Sequence, residues 1–341
     1  MKVLIIGNFG YTNELFGGQT IKTRHIYDLY KEKLGERNVL YFDVDALSKN
    51  KLLIFSLLSD LGKVTEIVIV PGKRVLKTIL PFIAKLNRVF EKKIWIFAVG
   101  GWLDEYIGEN IKVLKHLKRV DAIFVESRTL KSSLKQKFHL KNVVAFPNFR
   151  MHDFSHVSIN SPDVFRLVFM ARVDVDKGIL TLFRLMKYVQ ENPDKFNKKI
   201  TLDIYGPIDN QFEPQFIAGL RELKNIHYKG VVDLDMVFET LNQYDVTLLP
   251  TFYEGEGFPG TIIDSYIAGI PVIVSNWKNL PEFVDHGKSG FVYDLEDFDK
   301  LVDYVRFLAN NDHELVLMKD GAKIKSLSYS ADIAWKIIKA N

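Results

Sequence analysis

The sequence contains no cysteine, which excludes disulfide bonds, thiolate metal sites and cysteine nucleophiles. It also lacks any apolar run of the ~18 residues needed to cross a bilayer. The opening run Val3–Ile6 is too short for the apolar part of a secretory signal peptide. We therefore expect a cytoplasmic protein that is soluble or peripheral to a membrane.

Acidic residues are scarce in the first part of the chain. Residues 1–150 carry 26 Lys+Arg against 14 Asp+Glu, a net charge of +12, and the remainder carries 20 against 28, a net charge of −8. This division indicates two units that face different partners, with the N-terminal unit attracted to something anionic.

Short apolar runs alternate with helix-length segments through the whole chain, which is long enough at 341 residues for two domains. This alternation predicts an α/β fold with parallel sheets that are covered on both faces. The runs are Val3–Ile6, Val39–Phe42, Ile67–Val70, Ile94–Val99, Ala122–Val125, Val143–Phe146, Leu167–Met170, Thr201–Tyr205, Ile226–Lys229, Val246–Leu249, Pro271–Val274 and Gly290–Val292.

The polar stretch Met151–Pro162 interrupts this alternation and is interpreted as an interdomain linker. It separates a predicted domain 1–150 from a predicted domain 151–329, each a Rossmann-like unit. Ligands of open parallel sheets bind beyond the carboxyl ends of the strands, so we expect the site in the cleft between the two units.

The segment Glu254–Pro271 is the clearest candidate site. Gly257 and Gly260 allow backbone N–H groups to approach a ligand, and the helix that follows them favours an anion. Glu256 lies in the loop and Asp264 two turns into the helix. Carboxylates suit hydroxyl-rich ligands because their oxygens accept hydrogen bonds from sugar or ribose hydroxyls. A solvated turn before a helix with an acidic residue is the alternative.

The spacing of Glu256 and Asp264 resembles the Glu-x7-Glu region of retaining glycosyltransferases of family 4, which have the GT-B fold of two Rossmann-like domains. The resemblance implies that Glu256 contacts the donor sugar. It also implies that Asp264, one methylene shorter than the family's usual Glu, binds the ribose of the donor nucleotide. The neighbouring donor-binding residues are predicted to be Gly257, Phe258, Pro259, Gly260 and Thr261.

Two cations upstream are similar to the Gly-Arg…Lys-Gly element of that family. Arg172 follows an apolar strand and Lys177 precedes Gly178, and the resemblance implies that both cations hold the donor diphosphate. Fixed cations stabilise the negative charge that a nucleoside diphosphate gains as it leaves. Arg172, Lys177 and Glu256 are therefore the predicted catalytic group, although such cations taken alone are commonly surface residues.

A third element, Gly17 and Gly18 ahead of the first helix, resembles the family's glycine-rich loop beside the diphosphate. Backbone N–H groups at a helix start are suited to a phosphate. An ordinary loop is the alternative, because two glycines by themselves are a weak signal. The final segment, 330–341, resembles the family's closing helix, which implies that it packs back on the first domain.

The acceptor side departs from the family. Many members carry a His where this chain has Gly100, Gly101 and Trp102, so no side-chain base is assigned there. The glycines permit close approach of backbone to a sugar, and Trp102 is either a stacking wall or a core residue. Asp104 is a candidate acceptor contact or an ordinary acidic residue at a helix start.

Two Asp-x-Asp tripeptides, Asp43–Asp45 and Asp174–Asp176, have the carboxylate spacing of a divalent-metal site. They would bind Mg²⁺ or Mn²⁺ only if a nucleotide completed the coordination shell. Because Arg172 and Lys177 already serve the diphosphate, we predict no metal and no resident cofactor, with the nucleotide sugar acting as substrate.

The segment Lys73–Lys93 carries seven cations and one acid, interleaved with apolar residues at helical spacing. Such a pattern is typical of a basic amphipathic helix on an anionic membrane, or of a solvated helix that covers a sheet, and Pro81 interrupts it. No aromatic-interleaved platform accompanies the charge, so nucleic acid is not an expected partner.

Together these features predict a retaining, metal-independent glycosyltransferase, with a UDP-sugar as the favoured donor. The expected acceptor is a glycan or lipid-linked hydroxyl in surface polysaccharide synthesis. A sugar-nucleotide epimerase, a phosphorylase and a non-enzymatic two-lobed sugar-binding protein are the alternatives.

Overall fold

The computed structural model describes residues 1–11, 17–151, 154 and 163–341. The predicted linker Met151–Pro162 lies mostly outside these residues. The chain divides into two compact units, the first made of Met1–Met151 with Ser330–Asn341 and the second of His152–Tyr329.

The first unit is built on a parallel sheet with the strand order β2-β1-β3-β4-β5-β6 in the part of the chain that is described. Its strands are β1 Val3–Gly7, β2 Val39–Asp43, β3 Glu66–Val70, β4 Lys93–Phe97, β5 Ala122–Val125 and β6 Val143–Ala145. Its helices before the second unit are α1 Gly18–Leu34, α2 Val44–Lys49, α3 Leu53–Lys63, α4 Lys73–Phe90, α5 Leu103–Glu109, α6 Leu114–Leu117 and α7 Arg128–Phe138.

Both faces of this first sheet are buried. Successive strand residues point to opposite faces, so Val3 and Ile5 of β1 pack with α1 on one side. Leu4 and Ile6 pack with α3, α4 and α7 on the other side. Burial on both faces explains why the strands read as continuous apolar runs rather than as alternating ones.

Helix α4 is continuous through Pro81, where the sequence predicts an interruption. Proline removes one backbone hydrogen bond from a helix, but Ile79, Leu80 and Ile83 on either side of it are buried in the core. This packing holds the helix on the sheet across the missing bond.

The second unit also has a parallel sheet, with the order β12-β11-β10-β7-β8-β9 among the described residues. Its strands are β7 Val164–Met170, β8 Lys199–Tyr205, β9 Ile226–Tyr228, β10 Val246–Leu249, β11 Val272–Ser275 and β12 Gly290–Tyr293. Its helices are α8 Ile179–Glu191, α9 Glu213–Glu222, α10 Val237–Leu241, α11 Gly260–Ile267, α12 Phe298–Asn310 and α13 Asp312–Ser326. The two parallel sheets confirm the predicted fold class.

The last helix, α14 Ala331–Lys339, packs on the first unit. Ala334 and Ile338 are buried in the same core as α1, and the Trp335 ring meets the Tyr30 ring edge-on at 5.3 Å. The side chain of Lys33 donates a hydrogen bond of 2.8 Å to Asp332 at the rim. Helix α14 therefore completes the core on the face of the first sheet that α1 covers.

Among the residues that the structure describes, no helix combines the length and the apolar character that crossing a membrane requires.

Candidate functional site

The predicted donor residues of the second unit meet at the carboxyl ends of β7 and β10, which are neighbours in the sheet. Lys177 closes a short 3-10 turn before α8, and its Nζ donates a 2.6 Å hydrogen bond to Oε2 of Glu256. The two side chains are 12% and 8% exposed. The structure thus joins the predicted diphosphate cation to the predicted sugar-binding acid.

Thr251, just after β10, fixes the position of this pair. Its hydroxyl lies 2.9 Å from Oε2 of Glu256 and 3.2 Å from the carbonyl oxygen of Asp176. The N–H of Phe252 also donates to the Asp176 carbonyl, at 2.8 Å. The loop after β10 is therefore tied to the loop after β7 by backbone as well as by side chains.

Gly178 makes this approach possible. Its φ of +83° lies in the left-handed region, and a Cβ there would come within 2.1 Å of the Pro250 carbonyl oxygen. Only glycine lets the two loops come so close, which gives the Lys-Gly dipeptide a physical reason.

Arg172 lies beside the pair with a partially exposed guanidinium. Its Nη2 is 3.3 Å from Oδ2 of Asp174, and its Cζ lies 5.5 Å from the centroid of the Tyr253 ring. The Nζ of Lys177 lies 4.7 Å from the same centroid. One aromatic ring therefore supports both cations, an arrangement stabilised by the attraction of cations to ring faces.

The two Asp-x-Asp tripeptides have local partners in this structure. Asp174 pairs with Arg172, and Asp43 accepts hydrogen bonds from the N–H groups of Phe9 and Asp45. Within the described part of the chain, no group of three or more His, Asp or Glu side chains has the arrangement of a metal site.

The loop before α11 is anchored by two of the predicted donor residues. The Phe258 ring is buried and stacks on Phe283 at 3.7 Å, and the Thr261 hydroxyl donates to the Met170 carbonyl at the end of β7. These contacts place the start of α11 at the edge of the sheet. Asp264 follows Thr261 by three residues and is partly exposed.

Three other predicted donor residues form the backbone of this loop. Gly257 is buried, Pro259 is the residue before α11, and Gly260 is its first residue. Because an α-helix bonds each N–H group to a carbonyl four residues earlier, the N–H groups at a helix start lack such partners within the helix. They are suited to bind an anionic ligand.

In the first unit, Gly17 precedes α1 and Gly18 begins it. Both are exposed, and among the described residues a Cβ on either would meet no atom within 4 Å. The role of the two glycines in binding stays a prediction.

The predicted acceptor residues follow β4. Gly100 has φ +85° and Gly101 is buried. Trp102 meets Tyr106 edge-on at 5.6 Å, and the Lys73 ammonium lies 5.9 Å from the Trp102 ring. Trp102 thus packs on its own helix and remains partly exposed.

Asp104 holds α5 against α7. Its carboxylate accepts hydrogen bonds from Ser133 at 2.6 Å and Lys137 at 3.2 Å. Desolvation opposes ionisation, but these hydrogen bonds outweigh it and lower the pKa of Asp104. The acid has a structural function in this structure, and contact with an acceptor stays a prediction.

Comparison with known proteins identifies the unit that holds the clustered residues. Residues 164–311 match the family model "Glycosyl transferases group 1". Most of the second unit is therefore similar to group 1 glycosyltransferases.

Two bacterial proteins illustrate the sequence similarity. An uncharacterised 41.2 kDa protein in the cps region of Klebsiella pneumoniae is 28% identical over 40% of this chain and 35% of its own length. The amylovoran biosynthesis glycosyltransferase AmsK of Erwinia amylovora is 22% identical over 55% of this chain and 46% of its own length. The matched regions thus span about a third to a half of these relatives.

The whole chain has the fold of solved glycosyltransferases. HepE of Anabaena, solved in complex with UDP-glucose, superimposes with a TM-score of 0.73 at 13% identity, covering 100% of this chain and 99% of HepE. The predicted GT-B fold is confirmed, and the match of residues 164–311 to a glycosyltransferase family model confirms the predicted resemblance to glycosyltransferases.

Sequence reasoning missed two residues of the ion-pair cluster in the second unit. Thr251 and Tyr253 lie between β10 and the acidic loop; the Thr251 hydroxyl contacts Glu256, and the Tyr253 ring lies near both cations. Their signal in the sequence was their place soon after an apolar strand.

Proposed function

We propose that this chain is a retaining, metal-independent glycosyltransferase that transfers a sugar from a nucleoside diphosphate, with UDP-sugars favoured, to a hydroxyl of a glycan or lipid-linked acceptor. The observation that carries the proposal is the cluster of Arg172, Lys177, Tyr253 and Glu256 at the carboxyl ends of two neighbouring parallel strands. This is the edge at which open α/β sheets bind their ligands.

The cations of this cluster suit a diphosphate. The partly exposed guanidinium of Arg172 presents a planar set of donors that phosphate oxygens accept well. Lys177 already has an anionic partner, the carboxylate of Glu256. A phosphate oxygen of the donor therefore replaces one anion with another beside the Lys177 ammonium group. Both groups then stabilise the charge that develops on the leaving diphosphate.

Glu256 is positioned to exchange its bond to Lys177 for one to the donor sugar when the donor binds. Once phosphate shares Lys177, the carboxylate is able to accept a hydroxyl hydrogen of the donor sugar, and Thr251 keeps it aimed at the same point. Asp264 on α11 is assigned to the ribose hydroxyls. These assignments follow the family resemblance.

The chemical step that we propose conserves the configuration at the anomeric carbon. The bond from this carbon to the diphosphate breaks, and the acceptor oxygen forms its bond on the same face of the sugar. The acceptor proton goes to an oxygen of the departing phosphate. No side-chain base is needed, in agreement with the glycines at positions 100 and 101, where many members of the family that the chain resembles carry a His.

Binding of free nucleotides tests the donor site. We expect calorimetry to detect UDP in preference to GDP, dTDP and ADP, with the same affinity in EDTA as in Mg²⁺. The engagement of Asp174 with Arg172 supports this independence from metal. If none of the four nucleotides binds with or without the metal, the proposed function is wrong.

Product analysis then tests the reaction. A panel of UDP-sugars is incubated with the protein and glycan acceptors, and the linkage is read by NMR. An α-linked product from an α-linked donor is expected, and a β-linked product rejects retention. Conversion of the donor into another nucleotide sugar, without transfer, identifies an epimerase instead.

We also propose that the first unit contacts an anionic membrane from the cytoplasmic side, where polysaccharide precursors would supply the acceptor. The support is the exposed row of cations on α4, namely Lys73, Arg74, Lys77, Lys85 and Arg88. The apolar residues of α4 are not available to insert into lipid, because Leu76, Ile79 and Leu80 are buried in the core of the first unit. The proposed contact with the membrane is therefore electrostatic.

Flotation with vesicles of phosphatidylglycerol and phosphatidylcholine checks this contact. Each cation near such a surface contributes about 1 kcal/mol, so Lys77→Gln with Lys85→Gln should reduce binding in low salt by roughly tenfold or more. Lys187→Gln with Lys224→Gln, two exposed lysines of the second unit, is the matched control. Wild-type protein that stays with the protein-only fraction in low salt contradicts the membrane proposal.

A further inference from the structure

The first unit contains a buried cation that the proposed reaction does not use. Lys22 lies in the second turn of α1, and its side chain is only 1% exposed. Its Nζ is 3.2 Å from the Asn148 side-chain oxygen, 3.4 Å from the Pro147 carbonyl and 3.9 Å from a Glu126 carboxylate oxygen. The rings of Phe146 and Phe149 enclose it, with centroids at 4.9 and 5.4 Å.

Glu126, the first residue after β5, carries this contact to another loop. Its side chain is 4% exposed, and its second carboxylate oxygen accepts a 3.0 Å hydrogen bond from the N–H of Gly100. Gly100 has the left-handed backbone conformation at the turn that follows β4. The carboxylate therefore fixes the backbone of the predicted acceptor loop.

The two charges join four segments that leave the sheet at its carboxyl edge. Lys22 belongs to the helix that begins at Gly18, and Gly100 follows β4. Glu126 follows β5, and Pro147–Asn148 follows β6. Ligands of parallel sheets bind at this edge, so a shift of either charged side chain moves several of the loops at this edge together.

We propose that Lys22 and Glu126 form a positioning pair for the transfer reaction, which sets the Gly100–Gly101 turn in its productive arrangement. This proposal rests on the proposed glycosyltransferase function. Neither residue touches the reacting atoms, and both act through the backbone that they hold.

Stability alone is a weak reason for an ion pair at this place. Apolar residues of similar volume in place of a buried ion pair are often as stable or more stable, because the desolvation of two charges is costly. The pair adds instead a directed hydrogen bond to Gly100 and one to Asn148. Misplacing a substrate-positioning group by about 1 Å reduces turnover roughly a hundredfold.

The pair also has an expected pH limit. Burial lowers the pKa of Lys22 to about 8, with Glu126 opposing this shift and Arg150 adding to it. These are the charged groups that face Lys22 from the ends of β5 and β6. Because Lys22 loses its proton as the pH rises through this value, the pair is intact below about pH 8 and is lost above it.

Three variants test the proposal, namely Lys22→Met, Glu126→Gln and the double variant, with Lys31→Met on the exposed side of the same helix as control. UDP affinity is measured by calorimetry, and turnover by release of UDP from UDP-glucose between pH 6 and 10. Hydrogen exchange of residues 98–102 reports the hold on the acceptor loop without depending on activity.

We expect UDP affinity to stay within about twofold in all variants, and turnover to fall roughly tenfold to a hundredfold in the two single variants. Wild-type turnover should decline above about pH 8 at constant UDP affinity, and the double variant should lack this decline. Exchange in residues 98–102 should quicken in the single variants and remain unchanged in Lys31→Met.

Turnover within twofold of wild type in Lys22→Met and Glu126→Gln overturns the positioning role. Unchanged exchange in residues 98–102 overturns the hold of the pair on the loop, whatever the activity. A wild-type protein that binds none of the nucleotides refutes the proposed function instead, so the two failures remain distinguishable.

Discussion

The two units repeat one architecture but treat the ion pair at the sheet edge in opposite ways. In the first unit Lys22 and Glu126 are sealed from solvent. In the second unit Glu256 is also buried, but Lys177 is 12% exposed and Arg172 beside them is 46% exposed. A sealed pair keeps its partners because neither charge can return to water, whereas an accessible pair is able to exchange one partner for a ligand. The first arrangement fixes loops, and the second recognises an anion.

The largest effect that would sharpen this contrast is expected for Glu256→Gln. Losing a charge that acts in the transition state reduces turnover by about 10²- to 10³-fold, while UDP affinity changes little because the cations remain. Release of UDP from the donor measures it. Glu254→Gln, two residues earlier in the same loop and paired with Lys278 at the surface, should retain nearly full activity.

A second test asks whether each unit is stabilised by its own core, independently of the other unit. Ile338→Ala removes a buried side chain of α14 and should lower the free energy of unfolding of the first unit by about 2–5 kcal/mol. Hydrogen exchange followed by mass spectrometry resolves the two units. Ile333→Ala, on the exposed side of α14, is the control. Equal loss of protection in residues 163–329 would show that the two units do not unfold separately.

Arg172→Ala should weaken UDP binding by roughly tenfold to a hundredfold, because hydrogen bonds to charged groups contribute about 1.5–3 kcal/mol. Calorimetry measures the change, and Arg221→Ala on the surface of α9 is the control. Unchanged affinity would mean that Arg172 serves Asp174 and Tyr253 only, and the contrast between an open and a sealed pair would fail.

The smallest effect is expected for Asp264→Asn. Two ribose hydroxyls would each lose part of a hydrogen bond, at about 0.5–1.5 kcal/mol in total, so UDP affinity should fall roughly twofold to tenfold. Inhibition by inorganic pyrophosphate, which lacks a ribose, should not change. An equal loss for both ligands would assign Asp264 to the diphosphate instead.

Much of the fold could be predicted because its signal is local. Each predicted strand is present with its ends within three residues of the prediction, since strands buried on both faces are short apolar runs bounded by polar loops. The predicted interruption at Pro81 was wrong. Tertiary packing overrides the local effect of proline, because residues of α4 on both sides of it are buried in the core.

The sequence pointed to the candidate residues in two short segments, 172–177 and 256–264, but not to the contacts between them. The segment Glu256–Asp264 gave a pattern, but the contact of Lys177 with Glu256 spans 79 residues and depends on strand order. Lys22 gave no signal at all, since a Lys on an amphipathic helix is normally solvated. Its burial depends on Phe146 and Phe149, which follow the last strand of the sheet.

The pairing of both cations of the proposed donor site has a consequence for the rate at which UDP associates. Lys177 is paired with Glu256 and Arg172 with Asp174, so these cations together contribute little net positive field in solution. Long-range attraction is what makes association of charged partners fast and sensitive to salt. We therefore expect the association rate of UDP, followed by stopped-flow fluorescence of a labelled nucleotide, to vary little with ionic strength.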